Sequence, residues 1–276
     1  MHPILLNFGS FRVPTYGTLF ALSLIAAIYM VIRFGRREEL DTTRLFDFST
    51  WLLIVGLLGS KVLLILTDWN FYGKNPGEII SWGTFQAAGV FYGGFAAATF
   101  FAIWYINVHR LPMLKIFDVY APGIALAQSI GRLGCYSAGC DYGKPTPSFL
   151  GVVFTNPISH DLTGVPLGTS IYPTQVYESL ATLLIFGILV WRYCHKAFDG
   201  QIFILYLTLY AVARFFIEFL RGDEDRGFVF NHLLSTSQFI AIMALMVAAA
   251  MAWRLHGRSL EPQADALPLQ AKRARG

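Results

Sequence analysis

Residues 48–67 read FSTWLLIVGLLGSKVLLILT, with a single charge, Lys61. About 20 apolar residues are what a helix needs to cross the hydrocarbon core of a bilayer. Working outward, comparable windows lie at about 16–34, 86–106, 116–133, 173–193, 200–220 and 233–253, seven in all. The window at 116–133 is short and is broken by Pro122 and Gly123. Across the 276 residues, 55% are hydrophobic and 14% charged, and the mean hydropathy is +0.52. A soluble domain of this length carries more charge and shorter apolar runs. Open sheets leave unpaired backbone groups in lipid. The expected fold is therefore all-α, a polytopic membrane bundle of about seven helices.

Basic residues orient that bundle. One set of alternate connections holds Arg33, Arg36, Arg37, Arg44, Arg110, Lys115, Arg192 and Lys196, and the tail adds Arg254, Arg258, Lys272, Arg273 and Arg275. The other set holds Arg12, Lys74, Lys144, Arg221 and Arg226. The positive-inside rule places the richer set in the cytoplasm, with the N-terminus outside and the C-terminus inside. The basic residues form no stripe on a folded domain, so a nucleic-acid partner is not expected. The first apolar run lacks a basic leader and continues into a full span, which reads as a helix rather than a cleavable signal. Residues 1–257 read as a single membrane domain, and 258–276 as a basic, disordered cytoplasmic tail. The longest connection, about 134–172, is rich in Gly, Pro, Ser and Thr. Connections of that length lacking structure of their own are functional or disordered. No internal repeat is evident, which weighs against the common transporter architectures.

Charged residues within apolar windows are the functional signal, because each is costly at that depth. Gly131-Arg132-Leu133-Gly134-Cys135 closes the window at 116–133, with Gln128 one turn before Arg132. Arg214, Glu218 and Arg221 share a helical face at spacings of four and three. They read either as a salt-bridged ladder with Arg221 reaching outward or as a fork for an anion. Gln175 and Glu178 lie together at the start of the window beginning with Pro173. Tyr92-Gly93-Gly94 and Tyr16-Gly17 open two further windows; small residues there suit helix packing or close approach of a ligand. Lys61 either snorkels or pairs with a carboxylate. Cys135 and Cys140 lie at the expected outer face, where a disulfide can form. They are too few for a closed zinc site, so no metal and no organic cofactor is expected. An anionic lipid headgroup is the natural ligand for cations so placed.

Taken together, Tyr16-Gly17, Tyr92-Gly93-Gly94, Gly131-Arg132-Leu133-Gly134 with Gly139 and Gly143, Pro173-Thr174-Gln175-Val176-Tyr177-Glu178, Arg214-Phe215-Phe216-Ile217-Glu218-Phe219-Leu220-Arg221 and Ser237-Gln238 resemble the bacterial prolipoprotein diacylglyceryl transferases over about residues 10–255. The resemblance implies a multi-pass enzyme of the bacterial inner membrane. It would move diacylglyceryl from phosphatidylglycerol to the lipobox cysteine thiol of a preprolipoprotein, forming a thioether and releasing glycerol-1-phosphate. It implies phosphate contact by Arg132 and Arg214, with Glu218 orienting Arg214 or assisting proton transfer. Tyr16 and Tyr92 would join them in catalysis. Gly93, Gly94, Cys135, Gly143, Gln175, Glu178 and Arg221 would shape the substrate site.

This chain departs from the family pattern. Tyr92 stands where the family usually has His, Cys135 where it has Asn, Cys140 where it has Glu, Lys144 where it has Arg, and Tyr172 where it has His. These changes suit a divergent member. The alternatives are a transferase with another acceptor, or a non-enzymatic membrane protein that binds or moves an anionic lipid.

Overall fold

The computed structural model describes residues 2–8, 11–81, 84, 89–223, 227–229 and 233–259. The expected tail beyond 259 and Arg226 lie outside the described residues. Nine α-helices are described: α1 Thr15–Arg37, α2 Thr42–Thr67, α3 Trp69–Tyr72, α4 Phe91–Val108, α5 Met113–Ala138, α6 Pro157–Thr163, α7 Thr174–Tyr193, α8 Gln201–Ile217 and α9 Thr236–Ser259. Among the described residues, five stretches are long and apolar enough to cross a membrane: α1, α2, α7, Gln201–Leu220 and Thr236–Leu255. The other two expected windows fall on α4 and α5, with residues 86–88 outside the described set. Helix α5 continues past the expected end at residue 133 to Ala138, with Pro122 inside it.

The chain divides into two compact units, residues 28–119 and residues 1–27 with 120–276. In the first, Asp41 caps α2, its Oδ1 accepting from the backbone N–H of Thr43 and Arg44 at 2.9 and 3.3 Å. From Trp51 onward Lys61 is the single charge of helix α2, and Trp51, Leu57, Leu58, Val62 and Leu66 are exposed. Such a surface needs hydrocarbon around it. Helices α2 and α4 meet through glycines. A Cβ on Gly59 would lie 2.4 Å from Ala97 Cβ and 2.7 Å from the Gly93 carbonyl oxygen. One on Gly93 would lie 2.5 Å from the Gly59 oxygen. Lys61 Nζ donates to the Thr84 carbonyl at 2.9 Å.

In the second unit, a hairpin of β1 (Ile4–Phe8) and β2 (Phe11–Pro14) leads into α1. Gly134 lets α5 rest on the start of α1, where an added Cβ would lie 3.2 Å from the Tyr16 ring. Ser129 of α5 and Ser179 of α7 exchange hydrogen bonds through hydroxyl and carbonyl at 2.8 and 2.9 Å. The connection after α5 is structured, contrary to the expectation for so long a loop. Strands β3 (Val152–Val153) and β4 (Ser170–Ile171) pair antiparallel, and α6 lies between them in sequence. Phe154, Val165 and Ile171 are buried in its core, packed by Tyr136, Tyr142 and Val152. The connection is polar in average composition, but these few apolar residues suffice to close a small core. At the start of α9, Ser235 and Gln238 form a reciprocal capping box at 3.1 and 3.2 Å.

Candidate functional site

Helix α8 and the turn after it carry Tyr206, Tyr210, Arg214 and Glu218 at four-residue intervals, hence on one face. The Tyr206 and Tyr210 rings stack with centroids 5.8 Å apart. Tyr206 Oη donates to Gln128 Oε1 of α5 at 3.0 Å, and Tyr210 Oη donates to Glu178 Oε1 of α7 at 3.1 Å. The same Glu178 oxygen receives Arg132 Nη2 of α5 at 3.0 Å. Three helices thus meet at one carboxylate that is 3% exposed. Tyr210 also lies within electrostatic reach of both Arg132 and Arg214. Arg214 Nη1 pairs with Glu218 Oε2 at 2.8 Å, and its Nη2 donates to Ser237 Oγ of α9 at 2.9 Å.

Beyond the end of α5 the charges continue. Asp141 accepts from Arg132 Nη1 on one oxygen at 2.5 Å and from Arg221 Nη2 on the other at 2.6 Å. Burial alone would raise the Asp141 pKa; the guanidinium groups of Arg132 and Arg221 outweigh it and hold the carboxyl below its usual range. Arg221 is buried and also pairs with Asp223 at 2.5 Å. Its outward-reaching alternative is therefore not adopted, because two carboxylates hold it. Burial opposes its charge, yet hydrogen bonding to Asp223 and the charge of Asp141 drive its pKa above the ordinary value.

Backbone approach fixes this corner. Gly143 N–H donates to the Tyr172 carbonyl, Lys144 N–H to Leu220 and Gly222 N–H to Tyr142, at 3.1, 2.8 and 3.0 Å. A Cβ on Gly143 would lie 2.3 Å from the Tyr172 oxygen. Gly143 therefore packs between chain segments. Thr174 Oγ1 donates to the Asp141 carbonyl at 2.7 Å, and Gln175 Nε2 to the Cys140 carbonyl at 2.6 Å. Gln175 is 1% exposed, and its Oε1 has no hydrogen-bond partner among the described residues. A buried orphan acceptor is costly unless a ligand donates to it.

The structure thus brings together Arg132, Arg214, Glu218, Glu178, Gln175 and Arg221 in the second unit. Tyr16 lies within electrostatic reach of Arg132, Cys135 and Asp141 there. Tyr92, Gly93 and Gly94 belong to the first unit; Tyr92 is half exposed, and the two glycines face Gly59 and Gly56 of α2. Sequence reasoning missed Asp141, Asp223, Tyr206 and Tyr210. The two tyrosines were signalled by continuing the four-residue step of Arg214 and Glu218 backward. Asp141 was signalled as the carboxylate within the glycine-rich run after Arg132.

The arrangement suits an anion. Among the described residues, Arg132 is shared by two carboxylates, whereas Arg214 has one carboxylate and one hydroxyl, which leaves further N–H donors of its five for an incoming acceptor. The family model described as prolipoprotein diacylglyceryl transferase matches residues 3–254. Among similar proteins, phosphatidylglycerol--prolipoprotein diacylglyceryl transferase of Clostridium tetani is 34% identical over 90% of this chain and 95% of its own length. The Clostridium perfringens protein of that name, numbered 2, is 33% identical over 85% and 88%. That of Dehalococcoides mccartyi is 30% identical over 95% and 96%.

Proposed function

Because the chain belongs to the prolipoprotein diacylglyceryl transferase family, we propose that it transfers diacylglyceryl from phosphatidylglycerol to the lipobox cysteine of a preprolipoprotein. The observation that carries the reading is the meeting of Arg132, Glu178 and Tyr210 from three apolar helices, with Arg214 one turn beyond Tyr210 on the same helix. Such an investment of buried charge needs a charged ligand to justify it.

The acceptor sulfur attacks the glyceryl carbon bonded to the phosphate oxygen. The carbon–sulfur bond forms as the carbon–oxygen bond breaks, and the thiol proton is balanced on the released glycerol phosphate. Negative charge grows on the departing phosphate, where Arg214 and Arg132 stabilise it. Glu218 aims the Arg214 fork, and Glu178 with Tyr210 aims Arg132. Gln175 Oε1 accepts from a headgroup hydroxyl, and Tyr16 borders the same space.

The bundle has seven spans, with the N-terminus outside and the C-terminus in the cytoplasm of a bacterial cell. The asymmetry of basic residues supports this orientation. Residues 1–257 act as one transferase domain, a reading supported by the family match across both units. The replacement residues Tyr92, Cys135 and Cys140 favour one second reading, a transferase with a different acceptor.

The test is purified protein in phosphatidylglycerol vesicles with a lipobox peptide, read by mass spectrometry. Thioether product and free glycerol phosphate are expected. No product, with an active relative run in parallel, contradicts the proposal. Lipid turnover that ignores the peptide supports the second reading.

A further inference from the structure

The sulfurs of Cys135 and Cys140 and a carboxylate oxygen of Asp141 all lie within 4.8 Å of one another. The end of α5 arranges this. Gly139 N–H donates to the Cys135 carbonyl at 2.8 Å, and Gly139 then turns at φ +96°. Asp141 turns again at φ +58°. Between these left-handed residues Cys140 folds back over the last helical turn, with its Sγ 3.7 Å from the Cys135 carbonyl oxygen. Both cysteines are free thiols and partly exposed, so a reagent can reach them. The Asp141 oxygens are already committed to Arg132 and Arg221. A metal at this triad would sit beside two fixed guanidinium cations, which disfavours it. The sulfurs are left for chemistry with each other.

We propose that Cys135 and Cys140 are a reversible dithiol–disulfide pair whose closure loosens the hold of Arg132 and Arg221 on Asp141. The effect on turnover rests on the transferase reading; the bond itself does not. The oxidant is a small or protein disulfide. Cys135 lies one turn beyond Arg132 on α5 and acts as the attacking thiol. Its sulfur attacks one donor sulfur, forming a mixed disulfide and releasing one donor thiol. The Cys140 sulfur then attacks the Cys135 sulfur and releases the second. Two electrons pass to the donor, and the two cysteine protons end on the released thiols.

Closure pulls Cys140 toward α5. Its carbonyl is held by Gln175 and the next one by Thr174, so the pull is passed to both anchors and to the Asp141 carboxylate. Opening this turn also strains the neighbouring Gly143 and Lys144 pairings with Tyr172 and Leu220.

The experiment uses the full chain carrying Cys194→Ala, which removes the exposed third thiol, in phosphatidylglycerol vesicles with oxidised or reduced glutathione. The oxidised sample should lose two hydrogens and yield a crosslinked Cys135–Cys140 peptide. Amide exchange at Gly143 and Lys144 should quicken by about tenfold. Turnover should fall by about tenfold and return with dithiothreitol. Cys140→Ser should stop at a glutathione adduct on Cys135, with no crosslinked peptide and the same exchange at Gly143 and Lys144 in both glutathione states. Two thiols that stay alkylatable, a glutathione adduct that never resolves, or zinc retained by the pair would overturn the proposal. So would a disulfide with unchanged exchange at Gly143 and Lys144. If the reduced protein makes no thioether product, the transferase reading fails while mass and exchange still decide the disulfide.

Discussion

The seam between α2 and α4 and the cluster around Glu178 handle a hydrocarbon setting in opposite ways. At the seam, Gly59 and Gly93 bring backbones into contact. Around Glu178, helices α5, α7 and α8 approach through charged and phenolic groups that pair at one buried carboxylate. Without a hydrophobic force between helices, close packing supplies cohesion at the first. The second satisfies its charges at a cost in desolvation, which no gain in packing requires.

The largest effect should come from the cluster. Arg214→Ala and Arg132→Ala should each lower turnover by about 10²–10³-fold, as for loss of a group that stabilises developing charge. Lysine at either position should not restore it, since a point charge cannot hold two acceptors in a fork. Single-turnover assays on protein that remains folded in detergent check this. At the seam, Gly59→Leu should act on stability instead, costing about 1–3 kcal/mol through overpacking. Thermal unfolding in detergent reads it. A seam variant that lost turnover while keeping its full melting temperature would break the contrast.

Acid should separate the two regions further. The Asp141 carboxyl is held below its usual range, so its stabilising contribution is present above the unfolded value near 4 and fades as pH falls through the lowered one. Asp141→Asn should therefore flatten the fall in melting temperature below about pH 4, whereas Gly59→Leu should leave that slope unchanged. A smaller effect is expected from Tyr210→Phe. It deletes one hydrogen bond to Glu178, worth about 1 kcal/mol, and should cost less than about tenfold in turnover.

The membrane class was legible in windows such as 48–67, because an apolar run of that length has few alternatives. The pairing of Arg214 with Glu218 was legible from helical spacing alone. Asp141 was hidden, since its partners Arg132 and Arg221 are held to it by a turn with positive φ and by contacts far apart in sequence. Arg221 was left between two readings because its depth depended on where α8 ended and on Asp223. The small core of Phe154, Val165 and Ile171 escaped notice because its residues are scattered through polar sequence with no period.

The central claim is that the paired guanidinium groups receive a lipid phosphate. Native mass spectrometry of detergent-purified protein, offered equal phosphatidylglycerol and diacylglycerol, tests it most directly. The account predicts that phosphatidylglycerol is retained in preference and that Arg214→Ala abolishes the preference. Equal retention of both lipids, or a preference that survives Arg214→Ala and Arg132→Ala alike, would contradict it.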